Sequence, residues 1–282
     1  MIKFLNVTKT FKSTTAINDI NLNISENKIY CLLGGNGAGK TTFLKLIAGH
    51  LNTSEGEITV DNQKASTFNM PSCVNFIESR VSQFNLKVRA LINLANSLQD
   101  DFDLEFANSM IKKFKLDENK KYKQLSFGMQ TMLTTLLNLA NNSKVVILDE
   151  PTLGFDAIMR ERFYELVQTS FEYYPRIIIV STHLIDGISR FAEDIIIMKQ
   201  GSILLHASIN DIDAKAYSLT GKTNDVKNTT KGLNVIGEKT IAGFTSAYIF
   251  GDRIVTKDAI KLQSLGLEEL FINIVEGDQD EI

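Results

Sequence analysis

At 282 residues the chain can bury one large core and still carry a smaller module. Its 44% apolar and 22% charged residues exclude a disordered or fibrous protein, and a net charge of −3 excludes any global attraction to DNA, RNA or anionic lipid. No nucleic-acid partner is therefore expected, and two cysteines, Cys31 and Cys73, make neither a disulfide framework nor a metal site. The start, Met1 to Val7, lacks the basic-then-apolar shape of a signal peptide. No apolar run approaches the ~18 residues that cross a bilayer. The expectation is a cytoplasmic protein; if it works at a membrane, another polypeptide must span it.

In chain order, Ile2 to Val7 and Asp19 to Ile24 alternate apolar and polar residues and predict strands of an N-terminal antiparallel layer. Lys28-Ile-Tyr-Cys-Leu-Leu33 is an apolar run of strand length, in which Cys31 serves as a small buried hydrophobe. Gly34 to Thr42 then reads G-G-N-G-A-G-K-T-T, with Gly34, Gly39, Lys40 and Thr41 at the fixed places of G-x-x-x-x-G-K-[ST]. That spacing lets the small residues Gly34, Gly35, Asn36, Gly37, Ala38 and Gly39 wrap a phosphate with backbone N–H groups. Lys40 reaches the terminal phosphates, the Thr41 hydroxyl holds Mg²⁺, and Thr42 completes the string. Leu44, Ile47, Ala48 and Leu51 recur at helical spacing, so a helix N-terminus adds its dipole to the same site. The chain is expected to bind a nucleoside triphosphate.

Beyond Asn75-Phe-Ile-Glu78 the pattern becomes helical over Leu86 to Leu98 and Leu104 to Phe114, with Phe106, Met110, Ile111 and Phe114 on one face. The lysines at Lys112–Lys115 and Lys120–Lys123 are expected to be solvated helix ends. Met132, Leu133, Leu136, Leu137 and Ala140 form a buried helical stripe. Lys144-Val-Val-Ile-Leu-Asp-Glu150 is a buried-strand run ending in two acids. Beside a phosphate loop, Asp149 is placed to bind Mg²⁺ and Glu150 to take a proton from the attacking water. Val145–Leu148, Ile177–Val180 and Ile195–Met198 predict a parallel sheet, closed by a hairpin through Gly201 to Leu205. Ala216–Thr220, Leu233–Ile236 and Phe244–Phe250 read as short strands. A terminal helix follows, with Leu267, Leu270, Phe271, Ile274 and Val275 on one face.

Three further strings carry a family resemblance. Leu125-Ser-Phe-Gly-Met-Gln130, shortly before the acidic strand, resembles the L-S-G-G-Q signature of ABC-type ATPases. Leu153-Gly-Phe-Asp156 resembles that family's D-loop, and Ser181-Thr-His-Leu184 its switch-histidine strand. In this order, over roughly residues 1–205, they resemble an ABC transporter ATP-binding subunit. The resemblance implies an α/β fold: a P-loop NTPase cassette with a parallel sheet core, an N-terminal antiparallel β layer and a helical subdomain. It further implies a cassette over residues 1–207, its helical subdomain at about 79–140, and a small C-terminal α+β appendage over 208–282.

By the same resemblance two cassettes pair head to tail, each ATP lying between the phosphate loop of one and the signature of the other. Ser126 and the Gly128 amide would then reach the γ-phosphate from a second copy or a different ATP-binding subunit. His183 would position the water, Asp156 would lie at the interface, and Phe11 would stack on adenine. Glu78 stands where the family usually has a glutamine, and a carboxylate there could hold Mg²⁺ or water. The implied partner is a separate transmembrane permease subunit at the inner face of the membrane, and the implied activity is ATP hydrolysis coupled to export. The tail Leu267-Glu-Glu-Leu-Phe271 and the glutamate at 78 fit the export branch.

The sequence departs from the pattern at Gly35, where proline is common, and at Phe127, which replaces the first signature glycine; the basic residue often found after the signature is also missing. The alternative is a soluble ABC-type ATPase acting in translation or DNA maintenance. Such proteins usually carry two cassettes with a basic linker, or a long inserted coiled coil. A GTPase switch would need an N-K-x-D string, and the sequence has none.

Overall fold

The computed structural model describes residues 1–78, 84–185, 187–255 and 259–276. β1 (Ile2–Phe11) and β2 (Thr14–Ile24) form an antiparallel ribbon in which Ile2 faces Ile24 and Val7 faces Ile20. Alternation buries Ile2, Phe4, Val7, Ile17, Ile20 and Ile24 on one side. β3 (Ile29–Leu33) is buried throughout and leads through the glycine loop into α1 (Lys40–Ile47). The helix stops before Leu51, which the spacing had placed on it. Gly49 adopts φ +72°, and a Cβ there would meet the Ser66 carbonyl oxygen at 2.9 Å. The ring of Phe43 on α1 stacks on Phe4 of β1 with centroids 4.6 Å apart, which clamps the antiparallel layer onto the loop's helix.

β4 (Glu55–Val60) pairs with β1, and β5 (Gln63–Lys64) pairs with β4. β6 (Val74–Glu78) enters the second sheet. Three helices follow, α2 (Val88–Leu98), α3 (Leu104–Lys113) and α4 (Phe127–Leu139), with a 3₁₀ turn at Tyr122–Gln124. The lysines of the stretches before α4 are exposed, with Phe114 and Tyr122 buried between them. β7 (Val145–Asp149), α5 (Ala157–Tyr173), β8 (Ile177–Thr182), β9 (Asp194–Lys199) and β10 (Ser202–Ser208) complete the second sheet. Its order is β10-β9-β3-β8-β7-β6, parallel except for β10, which turns back at Gly201. β3, β7 and β8 are buried along their whole length, as expected where both faces of a parallel sheet are covered.

The remaining elements are α6 (Ile209–Lys215), β11 (Ala216–Lys222), α7 (Thr223–Thr229), β12 (Val235–Ile241), β13 (Phe244–Phe250), β14 (Lys261–Ser264) and α8 (Leu267–Glu276). Their strands make an antiparallel sheet of order β12-β13-β11-β14. Among the described residues no helix is long and apolar enough to cross a membrane.

Candidate functional site

The carboxyl ends of β3 and β7 open on one side of the second sheet, where a crevice between strand and helix forms in α/β sheets. A cavity of about 430 Å³ lies there, lined by the loop from Gly35 to Thr42 together with Ala16, Glu150, Leu153 and His183. Two glycines are dictated by contact. A Cβ on Gly34 would come within 2.6 Å of the Met198 carbonyl oxygen. One on Gly39, at φ +103°, would come within 2.6 Å of the Ala16 carbonyl oxygen. The loop is thereby pressed between β2 and β9, and its last turn becomes the start of α1. No acidic residue occupies that first helical turn, so the dipole and free amides are left to attract an anion.

Lys40 is buried, and its ammonium donates to the Gly34 carbonyl at 2.7 Å and the Gly35 carbonyl at 3.3 Å. It also lies 3.2 Å from Glu150 Oε1. A buried cation surrounded by oxygen atoms inside a Cβ-free cradle fits a polyphosphate, whose oxygens can replace these partners one for one. Thr41 donates its hydroxyl proton to Asp149 Oδ2 at 2.9 Å. A hydroxyl and a carboxylate are the hard oxygen donors that Mg²⁺ takes beside substrate phosphates.

Glu150 sits at φ +48°, in the left-handed region, which swings its carboxylate back over the loop. Its Oε2 accepts from Nδ1 of His183 at 2.9 Å, so the acid is held between a lysine and a histidine at the cavity mouth. Ser181, one strand over, donates to Asp149 Oδ1 at 2.6 Å and accepts the Glu150 amide at 2.9 Å. The sequence marks that serine only as the first residue of the string around His183 and gives it no role of its own. Its place follows from the register of β7 and β8, which sets Asp149 opposite Ser181. Ala16 and Leu153 join the lining in the same way, through folding rather than through any motif of their own.

Lys40, Thr41, Thr42, Glu150 and His183 and the loop residues Gly35 to Gly39 thus meet around one cavity, with Gly34 and Asp149 bonded to its members. Among the described residues its lining does not include Phe11, Glu78, Ser126, Gly128 or Asp156. Phe11 ends β1 with its ring half exposed and Lys9 Nζ 4.9 Å from its centroid. The Glu78 carboxylate is engaged by Lys45 at 2.7 Å. Ser126 caps α4 by accepting from the Met129 amide at 3.3 Å, and Asp156 caps α5 by accepting from the Met159 amide at 2.7 Å. A Cβ on Gly128 would lie 3.1 Å from Met159 Cγ, and the Phe127 ring leans toward Gly154. The signature and D-loop strings thus approach each other at Phe127 and Gly154, and among their described residues only Leu153 reaches the cavity lining.

A family model described as ABC transporter matches residues 17–153. An ABC transporter ATP-binding protein of Methanocaldococcus jannaschii is 30% identical over 224 residues, which cover 76% of this chain and 80% of that protein. A lantibiotic transport ATP-binding protein of Streptococcus pyogenes is 28% identical over 207 residues, covering 73% of this chain and 90% of its own length. Among solved structures, the dimeric cassette MJ0796 in a post-hydrolysis state with ADP and Pi aligns with a TM-score of 0.61 at 26% identity. That alignment covers 74% of this chain and 99% of the other.

Proposed function

The chain belongs to the ATP-binding proteins of ABC transporters and is an ATPase, and from that premise we propose that it energises an exporter whose membrane-spanning part is a separate polypeptide. The observation that carries the catalytic half of this reading is the Glu150 carboxylate, suspended between Lys40 and His183 at the mouth of the phosphate loop. A carboxylate held this way can accept a proton from water at Oε1 or Oε2, and the imidazole fixes which way it faces. Lys40 and the amides of Gly37 to Thr42 would bind and orient the β- and γ-phosphates, work that is mainly positioning and charge stabilisation in phosphoryl transfer. Thr41 and Asp149 would hold Mg²⁺, which when bound neutralises charge on the phosphate oxygens.

Completion of the site is assigned to a second cassette, its Ser126 and Gly128 facing the γ-phosphate across a head-to-tail interface. The separation of the signature surface from the cavity, and the dimer formed by the related cassette, support that arrangement. Phe11 is proposed to stack on adenine. The membrane subunit is proposed to dock on the α2–α4 layer from the cytoplasmic side. There Phe84, Leu94 and Leu98 are exposed around an apolar hollow of about 260 Å³. Export is supported by the lantibiotic-transport relative.

Glu150→Gln is the test. The variant is expected to bind ATP, to lose about 100-fold or more in hydrolysis, and to accumulate as a dimer in ATP when read by light scattering. Turnover equal to that of the unaltered chain would remove Glu150 from the role of base.

A further inference from the structure

A net charge of −3 gives the whole chain no pull toward an anionic surface, so any such attraction has to be local. One end of the third sheet supplies it. β12 and β13 are joined by Ala242 and Gly243, both at positive φ, +50° and +82°, as a two-residue hairpin turn requires. Such turns favour Asn or Asp beside glycine, yet here the tip reads Ile241-Ala-Gly-Phe244 and carries no polar side chain. Ile241 and Phe244 are register partners, so their side chains share one face and form a single apolar knob. They are 65% and 56% exposed.

Lysines surround the knob on that face. Side chains alternate along a strand, which puts Lys239 of β12, Ser246 of β13, and Thr220 and Lys222 of β11 on the same side as Ile241 and Phe244. The Thr220 and Ser246 hydroxyls meet there at 2.8 Å. Lys222 is the register partner of Phe244, and Lys261 of β14 is that of Thr220. All three lysines are exposed, and none pairs with a carboxylate among the described residues. The acids Glu238 and Asp225 belong to the opposite side. Glu238 alternates away from Lys239, and α7, which carries Asp225, packs through Val226 on the small core of that side. Further along the lysine-bearing face the sheet is covered. A Cβ on Gly237 would meet Asn273 Oδ1 of α8 at 3.0 Å, and Tyr248 and Phe250 pack against the main core. That cover stops short of the tip.

Shape and size select the occupant. The knob projects from the end of a hairpin instead of lining a groove, and two apolar side chains fall far short of the roughly 800 Å² per partner that a stable protein interface buries. A fluid bilayer moulds itself around a projecting apolar tip, and its anionic headgroups answer the lysines within a Debye length of about 8 Å. We propose that the β12–β13 tip is a membrane-surface contact: Ile241 and Phe244 enter the boundary between headgroups and acyl chains of an anionic bilayer, while Lys222, Lys239 and Lys261 bind lipid phosphates. The contact uses no residue of the nucleotide site, so ATP hydrolysis in lipid-free solution serves as the folding control.

The test is flotation of the full chain with vesicles of phosphatidylcholine, alone or with about 30% phosphatidylglycerol. The unaltered chain is expected to float with the anionic vesicles, and to bind at least about fivefold more weakly without phosphatidylglycerol or in about 1 M salt. Ile241→Ser combined with Phe244→Ser should weaken binding about tenfold or more. Lys222→Glu combined with Lys239→Glu should do the same through charge. Both variants should hydrolyse Mg–ATP within about twofold of the unaltered chain. An unaltered chain that ignores anionic vesicles would overturn the proposal, as would equal binding by the Ile241→Ser, Phe244→Ser variant. Binding of poly-glutamate without binding of vesicles would replace the bilayer with an acidic protein partner. Nucleotide-free self-association that is lost in the serine variant, again without vesicle binding, would make the tip a contact between copies.

Discussion

The Ser181 hydroxyl is fully buried between two backbone strands, and it binds Asp149 Oδ1 at 2.6 Å while accepting the Glu150 amide at 2.9 Å. One small side chain thus fixes the acid proposed for Mg²⁺ and the backbone bend that aims the proposed base. A left-handed φ on a non-glycine residue costs of order 1 kcal/mol, and it persists only where surrounding bonds impose it. Ser181→Ala would leave two buried polar groups without that partner. A loss of about 1–3 kcal/mol in unfolding free energy is expected from urea denaturation. The kcat for ATP should fall about tenfold with a smaller change in KM, because the base loses its aim while the phosphate loop is intact. Unchanged kcat would mean that Lys40 and His183 suffice to hold Glu150. The contrast with its neighbours explains what a sequence can disclose. Lys40, Thr41, Asp149 and Glu150 are legible because loop and strand end are each contiguous strings with fixed spacing. Ser181 acts through strand register, which brings together residues far apart in the chain.

At the level of elements, α4 is secured at both ends. Near its start the Gln130 side chain donates to the carbonyls of Tyr122 and Leu125, both at 3.1 Å, while Ser126 supplies the cap. At its end the buried Arg176 donates to the Leu139 and Asn141 carbonyls at 2.8 Å each and to Ser170 Oγ at 2.6 Å. The Leu139 carbonyl is one of the orphan acceptors that a helix C-terminus leaves behind, and a cation is the complement its dipole favours. Burial pushes the guanidinium down to about 10, which still leaves it charged at neutral pH. With the folded value below the unfolded one, the unfolded chain binds more protons from about pH 10 upward to the ordinary arginine range; in that window this group's contribution to stability rises with pH. Arg176→Met should cost about 2–4 kcal/mol of stability in urea denaturation, because several buried acceptors lose a charged donor together. Arg176→Lys should recover little, since a single ammonium cannot span the same fork. A loss under about 1 kcal/mol for Arg176→Met would show that water or neighbouring amides satisfy those carbonyls. The stripe from Met132 to Ala140 made α4 visible in the sequence, whereas its tether was not, as Arg176 lies beyond α5. Short polar elements were equally hidden: α6 and α7 have no sustained apolar period. β12 starts two residues later and runs further than its apolar residues imply, because Glu238, Lys239 and Thr240 on this edge strand face solvent.

Across the whole molecule, the residues that follow the ATPase motifs do not stand apart from the main core. The sequence divides at about Ser208, where motifs stop, yet the largest apolar cluster runs on through Ile212, Ala216, Leu265, Leu267 and Leu270 alongside Ile188, Phe191 and Ile195. Only the far side of the third sheet keeps a small core of its own, built from Tyr217, Leu219, Val226, Ala247, Ile249 and Ile260. An apolar stripe on a terminal helix looks the same whether it covers its own sheet or a neighbour's, so periodicity could not disclose the sharing. The consequence is cooperative. Leu270 is fully buried, and Leu270→Ala should cost about 2–5 kcal/mol through lost burial and the cavity left behind. Because that cavity opens in the cluster that also supports β3, β7 and β8, the loss should reach the ATP-binding part of the chain. Calorimetry is expected to show one unfolding transition displaced downward by about 5–15 °C, with saturating Mg–ATP moving that same transition upward. Two transitions, of which only the one insensitive to Mg–ATP moves, would instead make residues 208–282 an independently folding module that merely rests against the cassette.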